Sequence, residues 1–111
     1  MSIYHMFNIK IAEKLGMVEA VLLDNIERTI NKHSANGENF HKGKYWIYDS
    51  SKSFAEIFTY LSRQQISRAL KRLVDDGWLI KDNFNTDKFD RTSWYALSDK
   101  FISEFKDWGL K

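Results

Sequence analysis

SFAEIFTYLSRQQISRALKRLVDDG, residues Ser53–Gly77, reads as two short helices joined by a tight turn. Each predicted helix opens with a capping box: Ser53 with Glu56 three residues on, and Ser62 with Gln65 three residues on. In such a box the hydroxyl accepts from a frayed backbone N–H, and the carboxylate or amide reaches back to the N–H of the cap. Two starts this close together leave room for one short helix and a turn. The outline is that of a helix-turn-helix, a motif whose second helix can enter a DNA major groove.

Periodicity decides which face of the second helix is free. At about 100° per residue, Ile66, Ala69, Leu70 and Leu73 fall on one side. Gln64, Ser67, Arg68 and Lys71 fall on the opposite side, with Arg63 and Arg72 on the flanks. No acidic residue occurs from Leu61 to Val74. Arg and Gln make bidentate contacts to guanine and adenine edges, whereas Lys and Ser hold phosphates. A solvated face of an ordinary amphipathic helix would show the same pattern, so the neighbouring sequence has to discriminate.

Downstream, Gly77 suits the position just past a helix end. Two strand-like runs follow, Trp78–Asn83 (WLIKDN) and Ser93–Leu97 (SWYAL), separated by the polar, turn-prone FNTDKFDRT expected of a hairpin tip. Ser98 or Asp99 can cap a last helix at about residues 99–109, with Phe101, Ile102, Phe105 and Trp108 on one apolar face. Upstream, Asn8 precedes a short helical stretch that Gly16 ends or bends. The stripe Val18, Val21, Leu22, Ile26 and Ile30 then predicts a longer helix to about His33, with Glu19, Asp24, Glu27 and Arg28 away from the stripe. Ser34–Lys44 (SANGENFHKGK) reads as an exposed loop, and Tyr45–Asp49 (YWIYD) as a strand.

The order helix, strand, helix, turn, helix, hairpin, helix is that of a winged helix-turn-helix. The fold expected is mainly α with a small antiparallel β-sheet, in a single domain over residues 1–111. The helix-turn-helix occupies about 53–77 and the wing about 78–97. Lys88 and Arg91 lie on or beside the wing tip, within reach of phosphates or the adjacent minor groove. With Ser62, Arg63, Gln64, Ser67, Arg68, Lys71 and Arg72 they make up the predicted DNA-binding set.

Size and composition are compatible with this. A chain of 111 residues holds one core without a staple, and aromatics at 15% predict a core rich in rings. The absence of cysteine excludes a disulfide framework, a thiolate metal site and a cysteine nucleophile. MSIYHMFNIK has no basic segment followed by an apolar core, so no signal peptide is expected, and no apolar run reaches membrane-spanning length. A soluble intracellular protein is the expectation. The net charge of +2 is low for a nucleic-acid binder, but a local basic stripe can hold phosphate on a nearly neutral protein.

Three runs of residues also carry a resemblance. GKYWIYDS supplies Gly43, Lys44, Trp46, Tyr48 and Ser50; the helix-turn-helix supplies Leu61, Ser62, Arg68, Leu70 and Leu73; and DRTSWY supplies Asp90, Arg91, Thr92, Trp94 and Tyr95. In these the chain resembles the N-terminal domains of phage and plasmid replication proteins of the replisome-organiser type, similar in architecture to primosomal DnaD-like domains. The resemblance implies binding of double-stranded DNA at an origin and recruitment of a host replication protein, in the cytoplasm of a bacterial host cell. A transcriptional regulator would share the same binding mechanism.

Other chemistry finds little footing. His5, His33 and His41 have no spacing that converges on a metal, Gly37 and Gly43 are isolated, and the serines of DSSKS read as helix caps. No enzyme activity, cofactor or small-molecule substrate is expected. Asp75 and Asp76 read as solvated acids at a helix end. Of Trp46, Tyr48, Trp78, Trp94 and Tyr95, strand alternation should bury about half, although stacking of unpaired bases is open to exposed ones. Phe89 at the wing tip has no evident structural duty. The competing class is a protein-interaction module, favoured by the acids Asp75, Asp76, Asp82, Asp87 and Asp90 around the wing. The apolar face of the last helix leaves open a homodimer through that helix.

Overall fold

In the computed structural model the described residues are 4–105. Asn8 caps α1 (Ile9–Leu15) by accepting from the N–H groups of Lys10 and Ile11. Gly16 alone separates it from α2 (Met17–Asn36). Its backbone sits at φ 109°, and a Cβ there would stand 2.5 Å from Glu19 Oε1, so both conformation and space call for glycine. α2 runs past His33 to Asn36 and stops at Gly37, which takes the left-handed conformation at φ 67°.

The segment read as an exposed loop holds a hairpin instead. β1 (Phe40–His41) pairs antiparallel with β2 (Lys44–Tyr45) across Lys42 and Gly43, whose φ values of 51° and 77° suit a two-residue hairpin turn. YWIYD is likewise not one strand. It breaks at Trp46, where the chain leaves that hairpin and enters β3 (Ile47–Tyr48). The Trp46 N–H is used by Asn39 O, and its indole N–H donates to His41 O at 2.8 Å.

α3 (Ser51–Ile57) begins earlier than the Ser53–Glu56 capping box predicts. Ser50, extended at φ −107° directly after β3, accepts from the Ser53 N–H and is the cap, which leaves Ser53 inside the helix. Phe58–Ser62 turns the chain into α4 (Arg63–Asp75), and here the box is as read. The Ser62 hydroxyl accepts from Gln65 N at 3.0 Å, and Gln65 Oε1 accepts from Ser62 N at 2.9 Å.

β4 (Leu79–Asp82), β5 (Trp94–Leu97) and α5 (Asp99–Phe105) complete the described chain. β5 lies between β3 and β4, antiparallel to both, with Ile47 and Lys81 flanking Tyr95 and with Tyr48 and Asp82 flanking Trp94. The architecture is therefore mixed, mainly helical with a small antiparallel sheet. Ser98 joins sheet to helix: its hydroxyl donates to Trp78 O and accepts from the Phe101 N–H.

Side-chain parity sorts the sheet into two faces. Ile47, Leu79 and Tyr95 face the helices and join Leu22, Leu23, Ile26, Phe54, Phe58, Ile66, Leu70 and Leu73 in the main core. On the other face Trp46 and Ala96 are buried, beneath a cluster in which His41 stacks on Phe84 and Trp94 meets both edge-on. This second layer is what covers the outer side of the sheet.

The apolar face of the last helix is divided. Phe101 and Phe105 are buried in the main core, Ile102 is exposed, and Trp108 with the rest of the predicted 99–109 helix lies outside the described residues. Phe101 and Phe105 are thus used by the chain's own core, which takes two of the four residues of the stripe that left a homodimer open. Among the described residues no helix is long and apolar enough to cross a membrane.

Candidate nucleic-acid interface

α4 buries Ile66, Ala69, Leu70 and Leu73 and turns Arg63, Gln64, Ser67, Arg68 and Lys71 to solvent, as its periodicity predicts. The Ser67 hydroxyl is 2.7 Å from that of Ser51, which ties the exposed face of α4 to the first residue of α3. Lys71 donates to Asp75 at 2.6 Å, one turn on, and that bond holds its ammonium pKa above the ordinary value. Asp75 is therefore paired and not simply solvated, while Asp76 gives its carbonyl to Lys100 Nζ at 2.7 Å.

Arg72 has a different task from its neighbours. Its guanidinium donates to Glu19 Oε2 at 3.2 Å, which ties α4 back to α2. Glu19 was expected to point away from the core, yet it is only 7% exposed. Its carboxylate folds over the first turn of α2, where the helix dipole favours an anion and where Gly16 leaves room.

Beside α4 a cleft of about 550 Å³ runs between the helix and the sheet. Arg63, Ser67 and Lys71 line one wall; Lys81, Arg91 and Thr92 line the other. Lys81 was missed in the sequence, although strand alternation identifies it: paired with Tyr95, it shares the face of Leu79 that looks toward the helices. Asp49 also lines the cleft, and burial pushes its carboxyl above the ordinary value, with His33 opposing the shift.

The loop between β4 and β5 carries the remaining predicted residues, and it is wired by side chains. Asn85 Nδ2 donates to the carbonyls of Asp90 and Thr92, both at 2.9 Å, while Asn85 Oδ1 accepts from the Trp94 indole at 2.7 Å. Asp87 accepts from Phe89 N and Asp90 from Thr92 N, both at 2.9 Å. Tyr48 donates its hydroxyl to Asp90. That bond holds the Asp90 carboxyl below the usual carboxylate range and pushes the Tyr48 phenol up. Asp87 and Asp90 thus brace the loop, and Asp90 is held in its charged form. Lys88 and Phe89 are exposed at its tip, with Lys88 Nζ 5.5 Å from the Phe89 ring centroid, and Arg91 returns into the cleft.

The charges are unevenly partnered over the molecule. Lys10, Lys14, Arg28, Lys42, Lys44, Lys71 and Arg72 all have a carboxylate within ion-pair distance. Among the described residues Arg63, Arg68, Lys81, Lys88 and Arg91 have none, and these five lie on α4, the cleft and the adjoining loop. Lys32, Lys52 and Lys100 are the other described cations without an acid, on α2, α3 and α5. Also among the described residues, no group of three or more His, Cys, Asp or Glu side chains gathers as a metal site. Comparison with protein-family models, with curated proteins and with solved structures gives no match for this chain.

Proposed function

We propose that this chain is a winged-helix module that binds double-stranded DNA. α4 is its recognition helix and the loop between β4 and β5 is its wing. The observation that carries the reading is the uneven pairing of charge: among the described residues Arg63, Arg68, Lys81, Lys88 and Arg91 on α4, its cleft and the adjoining loop lack a carboxylate, whereas Lys10, Lys14, Arg28, Lys42 and Lys44 elsewhere are paired. Free cations lined up along a cleft release the counterions of a phosphate backbone, which is where most affinity for duplex DNA originates. Gln64, Ser67 and Arg68 are the residues in position to meet base edges in the major groove. The process we propose is initiation of replication at a phage or plasmid origin with recruitment of a host protein, and it rests on the residue resemblance alone.

Shift titrations of a mixed-sequence duplex at low and moderate salt test this. The parent should bind and weaken steeply as salt rises. Replacing Arg63 and Arg68 together with Ala should abolish most binding, and Arg68→Ala alone should cost about 1–3 kcal/mol on a cognate site if it reads a base. Affinity that does not change in the double variant would sink the proposal. A second reading, a module that docks protein, draws on the N-terminal segment. There exposed Tyr4 and Met6 line a cavity of about 310 Å³ with Phe58, next to exposed Tyr60, whose hydroxyl meets His5 at 2.9 Å. Salt-insensitive capture of a protein, without duplex binding, would favour it.

A further inference from the structure

Phe89 stands out among the apolar side chains because it is 80% exposed on a loop that is otherwise held in place. Its own N–H is bound by Asp87, the next N–H by Asp87 O, and the carbonyl after it by Asn85. Asn85 is in turn fixed by the indole of Trp94, a member of the aromatic layer that covers the outer face of the sheet. The ring is therefore presented from a rigid base and adds no burial to the fold. Lys88 lies against it and Arg91 follows two residues later, both without a carboxylate partner among the described residues.

From this we infer that Phe89 is a wedge that enters the minor groove and partly unstacks a base step, with Lys88 and Arg91 on the flanking phosphates. The inference rests on the duplex-binding reading above and extends it: the module deforms the DNA that it binds. An aromatic ring between base pairs recovers in stacking what it forgoes in the fold, and cations beside it hold the backbone where the step opens. A floppy loop would yield to the stacked bases, whereas a braced one transmits the push. Pyrimidine–purine steps, which unstack most readily, are the steps this wedge would select. Selection of this kind gives a sequence preference at a position where no side chain reads a base edge.

The test uses duplexes carrying a fluorescent base analogue, quenched by stacking, at repeated TA steps or at repeated GC steps. Emission should rise when the parent binds the first set and change little with the second. Phe89→Ala should bring emission on the TA set back to the level of free duplex. It should still shift the same DNA with an affinity lowered by no more than about tenfold, because the phosphate contacts remain. Phe89→Leu, which keeps an apolar wedge, should retain part of the rise. Because the ring is exposed, circular dichroism should find both variants folded. A parent that binds without a rise, or a rise undiminished in Phe89→Ala, overturns the wedge and leaves duplex binding standing. A parent that shifts no duplex at any salt overturns both.

Discussion

Asp49 sets a negative charge into a basic cleft, and its surroundings resist that charge. Burial raises its carboxyl pKa above the ordinary value. An acid whose folded pKa lies above its unfolded one binds its proton more tightly when folded. Stability is then highest below the unfolded pKa and declines as pH rises through the folded one. Asp49→Asn removes this dependence. The variant should melt at a higher temperature than the parent near neutral pH, with the gap closing in mild acid. It should also bind duplex more tightly, since a charge opposed to phosphate is gone from beside Arg63 and Arg91. Thermal melts across pH check the first expectation, and a gap that stays constant with pH would refute it. At this scale the sequence was legible where exposure follows from a side chain's place on its own helix, as it does for Gln64, Ser67 and Arg68. It was not legible for Glu19, whose cation comes from α4, or for Asn85, whose partners lie across its own loop. FNTDKFDRT reads only as turn-prone, and nothing in it says that one amide side chain will close the loop on itself.

Elements whose periodicity is long relative to their ends were the most readable. α2 and α4 follow from apolar stripes that each persist over several turns, and the Ser62–Gln65 box fixes where α4 begins. The β1–β2 hairpin was not readable, because two-residue strands carry no alternation and its turn depends on positive φ at Lys42 and Gly43. The start of α3 was misplaced because DSSKS offers several hydroxyls, and only the extended backbone of Ser50 after β3 selects among them. The tie between α2 and α4 leads to a prediction. Arg72→Ala leaves the carboxylate of Glu19, whose side chain is 10% exposed, without its cation, and should cost about 1.5–3 kcal/mol. Adding Glu19→Gln should restore part of that loss, because the uncompensated charge is then removed. The salt dependence of duplex binding should be nearly unaffected by Arg72→Ala, in contrast with Arg63→Ala. Denaturant melts of the single and double variants read the first effect, and a double variant no more stable than Arg72→Ala would contradict it.

Taken whole, the molecule has two apolar layers on either side of a three-stranded sheet, and the larger closes only when Phe101 and Phe105 dock from α5. Composition foretold a ring-rich interior but not its division, since both layers draw on the same residue types. The total charge of +2 conveyed even less, because a sum discards position. Acid-paired cations contribute almost no field at a distance, whereas the five without an acid on α4, the cleft and the loop outnumber the unpaired acids Asp49, Asp87 and Asp90 beside them. A nearly neutral body with an excess of positive charge along one face is an electric dipole. In the field of a polyanion such a body experiences a torque before it experiences contact, so on the duplex-binding proposal encounters should begin with α4 turned inward. Association should accordingly be fast at low ionic strength and slow markedly once the screening length falls to about 10 Å, near 0.1 M salt. Stopped-flow mixing with labelled duplex measures this directly. An association rate indifferent to salt would mean that the molecule arrives without orientation.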